Sequence, residues 1–313
     1  DELSTSLSYY TISSASISTF TTKKSTIQNT SSYSTPLCPI LEQSKSLVPR
    51  ILLKDLRLHH QREPKDDKLQ QIFVDLIQKH GFVILTDIGK VEAQYKALMI
   101  EFQNFMQGGD QALKEKQKGP IYFNERGIPM WQTGYEKMAM REAFRTHSPN
   151  LDLQPWPSDS LYKTWSQLTR SLVQIADRCL HLTLGDSALS AQDMEAGEDF
   201  SVCYALHYPN DDSYTEDYAV PDHIDPSLYV IEPCSNVDGL QVLDQETKTW
   251  IDVEDLCDPG KELVVFTGKA LANATEGKIP GTVHRVKRSR AEKSRFCFIF
   301  EQKYGPYYPA ALD

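Results

Sequence analysis

The sequence predicts an α+β protein in which a largely helical first half supports a β-rich second half folded as a sandwich or barrel. Two features carry that expectation. The spacing of apolar residues changes from a helical period to strict alternation near residue 200, and Pro, Gly, Asn and Asp cut the later region into short segments.

From Asp66 to His80 the apolar residues Leu69, Ile72, Phe73, Leu76 and Ile77 step by three and four, one buried stripe on a helix that Gly81 ends. Phe82 to Leu85 follows as a short buried strand. A second helix is expected over about Glu92 to Met106. A long one is expected from Leu161 to Cys179, where Leu161, Trp165, Leu168, Leu172, Ile175 and Cys179 form another stripe. Such stripes build a core and are assigned no chemistry. Beyond Phe200 the pattern alternates: Phe200, Val202, Tyr204, Leu206 and Tyr208 against Ser201, Cys203, Ala205 and His207, then Phe296, Phe298 and Phe300 against Arg295, Cys297 and Ile299. Between these runs, Leu228–Ile231, Leu240–Leu243, Lys261–Phe266 and Thr282–Val286 are read as further strands.

The chain divides by composition into a Ser/Thr-rich extension (1–47), a helical region (48–198) and a β-rich region (199–313), the last two expected to form one compact unit. Residues 1–35 hold 11 Ser and 8 Thr, and Asp1 and Glu2 are the only acids before Glu42. That composition suits the remnant of a plastid transit peptide and equally a flexible arm, although the near-absence of Arg departs from the former. The protein is otherwise expected in the cytoplasm.

Over 313 residues the net charge is −10, which argues against a nucleic-acid partner, because phosphate binding needs dense Lys/Arg patches. The cluster from Arg285 to Arg290 reads as a solvated strand end or turn. No apolar run is long enough to span a bilayer, so no membrane partner is expected. Cys38, Cys179, Cys203, Cys234, Cys257 and Cys297 are scattered without a CxxC pair, as free thiols in a reducing compartment would be.

Chemistry is concentrated in the second half. His223-Ile224-Asp225 is an H-x-D triplet; in an extended segment its first and third side chains would share one face. The triplet alone is weak, since chance and a surface pair both explain it. It gains weight from His284, in a later β-period segment, because two imidazoles and one carboxylate make the facial triad that holds iron(II) and leaves coordination sites open. Zinc favours four tetrahedral ligands and more often recruits Cys or a third His. Arg295 lies on the alternation face away from the three phenylalanines. An arginine directed inward needs an anion, and its planar fork suits a carboxylate such as the far end of a dicarboxylate. The alternative at that point is a surface arginine on an edge strand.

These residues stand in a wider pattern. Tyr208-Pro209, His223-Ile224-Asp225, Gly239-Leu240-Gln241-Val242, Trp250, Gly268, Thr275-Glu276-Gly277-Lys278 and His284-Arg285-Val286 fall in an order and spacing that resembles the plant-type iron(II)/2-oxoglutarate dioxygenases, the superfamily that includes isopenicillin N synthase. Earlier in the chain, His80-Gly81-Phe82-Val83, Gly134-Tyr135 and Arg141-Glu142-Ala143-Phe144 are similar to that family's helix-to-strand turn, its Gly-Tyr and the strand after it. The resemblance covers roughly 48–305 and implies a distorted double-stranded β-helix, or jelly roll, flanked by amino-terminal helices.

It also implies a cofactor and a reaction. His223, Asp225 and His284 would bind Fe(II), with 2-oxoglutarate and O2 as co-substrates and ascorbate as a helpful reductant. Arg295, Tyr208 and Cys297 would meet the far carboxylate of 2-oxoglutarate. Three positions depart from the family: Cys297 replaces the serine of Arg-x-Ser, Leu206 replaces an asparagine two residues before Tyr208, and Gly268-Lys269 replaces Gly-Asp. The first two bear on co-substrate binding and none touches the metal ligands.

The expected enzyme is a monomeric oxygenase of a small specialised metabolite, with Tyr122, Tyr135, Phe144, Arg145 and His207 as candidate substrate contacts from the family pattern. Hydrogen abstraction from its substrate would end in hydroxylation, desaturation or oxidative cyclisation of the kainoid-synthase kind. The rival readings are an iron oxidase of the same fold that needs no 2-oxoglutarate, and a non-catalytic jelly-roll binding protein.

Overall fold

A helical stripe followed by a glycine dictates the first long element. In the computed structural model, which describes residues 48–56, 66–108, 110–123, 129–209, 216–288 and 293–308, helix α1 spans Asp66–His80. Phe73 and Ile77 are fully buried, whereas Ile72 faces solvent, so the buried stripe is narrower than its apolar residues. Gly81, at φ 83°, turns the chain into strand β2 (Phe82–Thr86) in a conformation that costs glycine least. Strand β1 (Arg50–Leu52) pairs with it in parallel. The reading of 1–47 as a separate extension lies outside the described residues.

Helix α2 (Lys90–Gly108) and the short helix α3 (Gln111–Glu115) follow. Strands β3 (Lys118–Phe123), β4 (Pro129–Lys137) and β5 (Glu142–His147) then form an antiparallel meander. Helix α4 (Asp159–Leu184) starts where Ser158 Oγ accepts from Leu161 N at 3.1 Å. The six stripe residues named for it are all buried.

The second half supplies β6 (Val202–Tyr208), β7 (Tyr218–His223), β8 (Tyr229–Pro233), β9 (Leu240–Leu243), β10 (Trp250–Asp252), β11 (Leu263–Thr267), β12 (His284–Lys287) and β13 (Arg295–Glu301). Short helices α5 (Val253–Leu256) and α6 (Lys269–Ala274) lie between strands. One sheet of nine strands has the order β1-β2-β11-β8-β13-β6-β5-β4-β3, and one of four has the order β10-β9-β12-β7. This is the mixed α+β, double-stranded β-helix arrangement with flanking helices that the resemblance implied.

One expectation needs correction. The region 48–198 is not simply helical, because β1 to β5 all belong to the large sheet. Strands β3 and β4 contain Gly, Gln, Glu and Lys rather than an alternating apolar series, so their pairing partners, not their local pattern, make them strands.

β13 shows how the sheet separates core from site. Phe296, Phe298 and Phe300 face the helices, with Phe102 edge-on to Phe296 at 6.0 Å and Trp165 to Phe298 at 4.9 Å. Ile299 and Glu301 point the other way, into a cavity of roughly 280 Å³ walled by both sheets.

Candidate active site

His223 closes β7 and His284 opens β12, and the two are direct partners in the antiparallel register. Their rings lie 4.1 Å apart between centroids. Asp225 comes two residues after His223 but beyond the end of the strand. The convergence of His223 and Asp225 is therefore made by a turn rather than by the alternation of an extended segment. Asp225 Oδ1 is 3.4 Å from His223 Nε2, and Oδ2 is 3.4 Å from His284 Nε2. One donor atom from each residue fits within 4.8 Å of the others.

Backbone groups fix both imidazoles. His223 Nδ1 lies 2.8 Å from Pro221 O and His284 Nδ1 lies 3.3 Å from Thr282 O. A carbonyl accepts only from N–H, so each ring carries a proton on Nδ1, which leaves Nε2, the nitrogen beside Asp225, as the atom that can lose its proton to face a metal ion. Burial works against the charged form of Asp225, but hydrogen bonds and charge from His223 and His284 outweigh it and hold the carboxyl well below its usual range. Burial likewise opposes the charged form of His223, and Asp225 overcomes it and raises the imidazole. Two nitrogen lone pairs and one anionic oxygen on one side of a cavity suit a divalent iron ion.

The surrounding loops explain the glycines of the sequence pattern. Thr282, two residues before His284, donates to Gly81 O at 2.6 Å, which ties the start of β12 to the end of α1. Asp225 O accepts from Lys269 N at 2.8 Å. A side chain on Gly268 would place Cβ 2.1 Å from Ser227 O, so only glycine allows that loop to press against the backbone carrying Asp225.

Arg295 is 2% exposed and inward, but it is not open. Its Nη2 donates to Glu232 Oε1 and to Glu254 Oε1, each at 2.8 Å, and its Nη1 to Cys297 Sγ at 2.9 Å. Cys297 therefore shares the inner face with Arg295, and Tyr208 approaches from β6 with its ring 5.6 Å from the guanidinium. Glu254 is further held by Leu240 N at 3.1 Å, while Glu232 lines the cavity. Burial raises the Glu254 carboxyl, and Arg295 only partly counters it. Iron thus fits its three ligands directly, whereas a co-substrate carboxylate at Arg295 meets two carboxylates already there.

Glu232 and Glu254 were not singled out from sequence. Glu232 had a readable signal, an acid extending the apolar run Leu228–Ile231; Glu254 had none, because its partner is distant in the chain.

The five candidate substrate contacts separate. Arg145 lines the cavity, ion-paired to Glu136 at 3.0 Å and 4.8 Å from the Tyr204 ring centroid. Tyr135, Phe144 and His207 lie on the helix side and do not line the cavity, which corrects the expectation for them. Tyr135 donates to Glu142 at 2.6 Å, His207 Nδ1 is 3.0 Å from Glu142, and the His207 ring stacks on Phe296 at 4.4 Å. Phe144 is fully buried among aromatics, 5.5 Å from Trp165. Alternation explains this: with Tyr204, Leu206 and Tyr208 facing the cavity, His207 must face away. Tyr122 belongs to β3, and its side chain lies outside the described part of the chain. Arg141 and Lys303, unremarked as site residues in the sequence, also line the cavity.

Comparison with known proteins agrees with this geometry. Gibberellin 3-beta-dioxygenase 4 of Arabidopsis thaliana is 27% identical over 169 residues, covering 50% of this chain and 45% of that protein. The 2-oxoglutarate-dependent dioxygenase AOP3 of the same plant is 37% identical over 78 residues, 25% of this chain and 18% of that protein. The chain thus spans less than half the length of these curated relatives. The solved structure of dioxygenase for auxin oxidation 1 from Arabidopsis thaliana, a complex with 2-oxoglutarate, shares the fold with a TM-score of 0.62 at 16% identity, over 84% of this chain and 98% of that one. Residues 198–302, which contain all three metal-ligand candidates and Arg295, match the 2OG-Fe(II) oxygenase superfamily.

Proposed function

We propose that this protein is an Fe(II)- and 2-oxoglutarate-dependent oxygenase that oxidises a small acidic metabolite at an unactivated C–H bond. The observation that carries the reading is the convergence of His223, Asp225 and His284 on one wall of a cavity. Iron bound there, with 2-oxoglutarate and dioxygen, supplies an oxidant able to remove hydrogen from carbon.

The chain's own residues do the rest. Asp225 contributes the single negative charge that holds a dication, and the carbonyls of Pro221 and Thr282 keep both imidazoles in the binding tautomer. Phe266, Val230, Leu240, Val286 and Ile299 give the cavity an apolar lining. Arg141 adds a cationic group to its wall, which supports a substrate bearing a carboxylate, while Arg145 and Lys303 also line it but are paired with Glu136 at 3.0 Å and Glu301 at 2.7 Å. Substrate pose against the iron would select among hydroxylation, desaturation and ring closure.

The three metal-ligand candidates all come from one chain, and action as a monomer is part of the proposal. The buried free thiols Cys179, Cys203, Cys234, Cys257 and Cys297 support a reducing compartment such as the cytoplasm or plastid stroma. Among the described residues no helix is long and apolar enough to cross a membrane.

The test is a screen for substrate-stimulated succinate release from 2-oxoglutarate over carboxylic acids, amino-acid derivatives, terpenoids and phenolics. Succinate release stimulated by an acid and abolished in Asp225→Ala supports the reading. A second reading, an iron oxidase that needs no 2-oxoglutarate, is favoured by one observation, the neutralised Arg295. Substrate oxidation with iron and oxygen alone would establish it.

A further inference from the structure

We infer that Glu232 is a specificity-determining residue that competes with the far carboxylate of 2-oxoglutarate for Arg295. The inference rests on the co-substrate reading above.

Arg295 and its two acids form a buried cluster with one positive and two potentially negative groups. Side-chain exposures are 2% for Arg295, 3% for Glu232 and 7% for Glu254. Three of the guanidinium contacts are taken: Nη2 serves both carboxylates and Nη1 serves Cys297, while Nε has no hydrogen-bond partner among the described residues. Nε cannot receive a ligand from the Gly239 side, where a Cβ would already lie 2.9 Å from it.

The two acids differ in how they are held. Glu254 comes from α5 and is anchored twice, on Arg295 and on Leu240 N. Glu232 comes from β8, where it is the register partner of Val264 on β11, and its carboxylate lines the cavity and accepts from Arg295. A third carboxylate entering beside one guanidinium would meet like charge in a buried setting. Glu232 lines the cavity, whereas Arg295 and Glu254 are not among its lining residues, so Glu232 is the acid an incoming carboxylate meets. The empty site is thereby kept neutralised, and a 2-oxo acid with a far carboxylate binds at a cost that one without it does not meet.

The experiment titrates Mn(II)-loaded full-length protein by calorimetry with two probes, 2-oxoglutarate and 2-oxopentanoate, which lacks the far carboxylate. In Glu232→Gln, 2-oxoglutarate is expected to bind tighter by about tenfold or more, since the like-charge penalty is gone. Affinity for 2-oxopentanoate and for Mn(II) is expected to stay within about twofold of the wild type, because neither contact changes. Glu232→Leu repeats the test should the glutamine variant fold poorly. Glu254→Gln is expected to give no such gain, and the gain is expected to vanish in Glu232→Gln/Arg295→Leu.

Equal binding of 2-oxoglutarate to wild type and Glu232→Gln overturns the inference, as does a gain shared by 2-oxopentanoate or matched by Glu254→Gln. Loss of discrimination in Arg141→Leu instead of Arg295→Leu also overturns it, by placing the carboxylate elsewhere. Failure of the co-substrate reading itself has a different signature: neither probe binds the Mn(II)-loaded wild type or any variant.

Discussion

Asp225 is the single anion among the three metal-ligand candidates, and its position is set by a turn whose carbonyl is bonded to Lys269 N at 2.8 Å. Asp225→Ala is therefore expected to abolish Fe(II) binding and turnover while leaving the fold, read by circular dichroism and thermal unfolding, intact. Bound iron with retained turnover in that variant would remove Asp225 from the ligand set. Cys297 presents a finer case. The family resemblance put a hydroxyl there, and the thiol now accepts from Arg295 Nη1 at 2.9 Å in a fully buried position. Burial pushes this thiol up, away from its charged form. A serine oxygen is a better partner for a guanidinium than sulfur is. Cys297→Ser is expected to tighten 2-oxoglutarate binding to the Mn(II) form by up to about 1.5 kcal/mol, with little loss of melting temperature because the serine oxygen can accept from Arg295. A lower melting temperature with unchanged affinity would mean that Cys297 acts only as a small apolar filler.

At the scale of elements, what could be read in advance depended on whether a segment's burial is set by its own pattern. The stripe over 161–179 and the alternation over 295–300 each have one face against the core, and both appear as α4 and β13. β3, β4 and β7 are held by their neighbours, and Tyr218 to His223 is mostly exposed or half-buried, so no alternation marked it. Loops behave in the same way. Gly268 was visible as part of a family pattern, but its physical reason, a backbone oxygen where a Cβ would stand, is a contact between segments distant in sequence. Gly268→Ala is expected to force this loop off Ser227, loosen the Lys269–Asp225 bond and weaken metal affinity by about 10- to 100-fold, the usual effect of disturbing a ligand's support. Metal titration against the unaltered protein measures it, and unchanged affinity would show that the loop gives way without moving Asp225.

Across the whole molecule the ligands were legible because three residue types in order imply one chemistry, while the partners of Arg295 were not, because Glu232 and Glu254 reach it only through the sheet and the helix beside it. The same long-range burial sets how stability responds to pH, through two groups remote from the site. Asp177, on α4, accepts from Tyr304 at 2.5 Å and from Gln302 at 2.9 Å, yet burial dominates and raises its carboxyl to about 6. A folded-state value above the unfolded one means that between about pH 4 and 6 the folded chain holds more protons, so stability from Asp177 falls as pH rises. His147 is the reverse: burial lowers it to about 4, against the opposing effect of its bond to Asp199 O at 2.7 Å. Between about pH 4 and 6.5 the unfolded chain holds the extra proton, so stability from His147 rises with pH. The two slopes oppose each other over pH 4–6, where each alone would contribute on the order of 2 kcal/mol. Asp177→Asn is expected to expose the rising slope of His147, and His147→Gln the falling slope of Asp177. Urea unfolding at pH 4, 5 and 6 for the three proteins decides the matter: parallel curves would show that neither group carries the burial effect assigned to it.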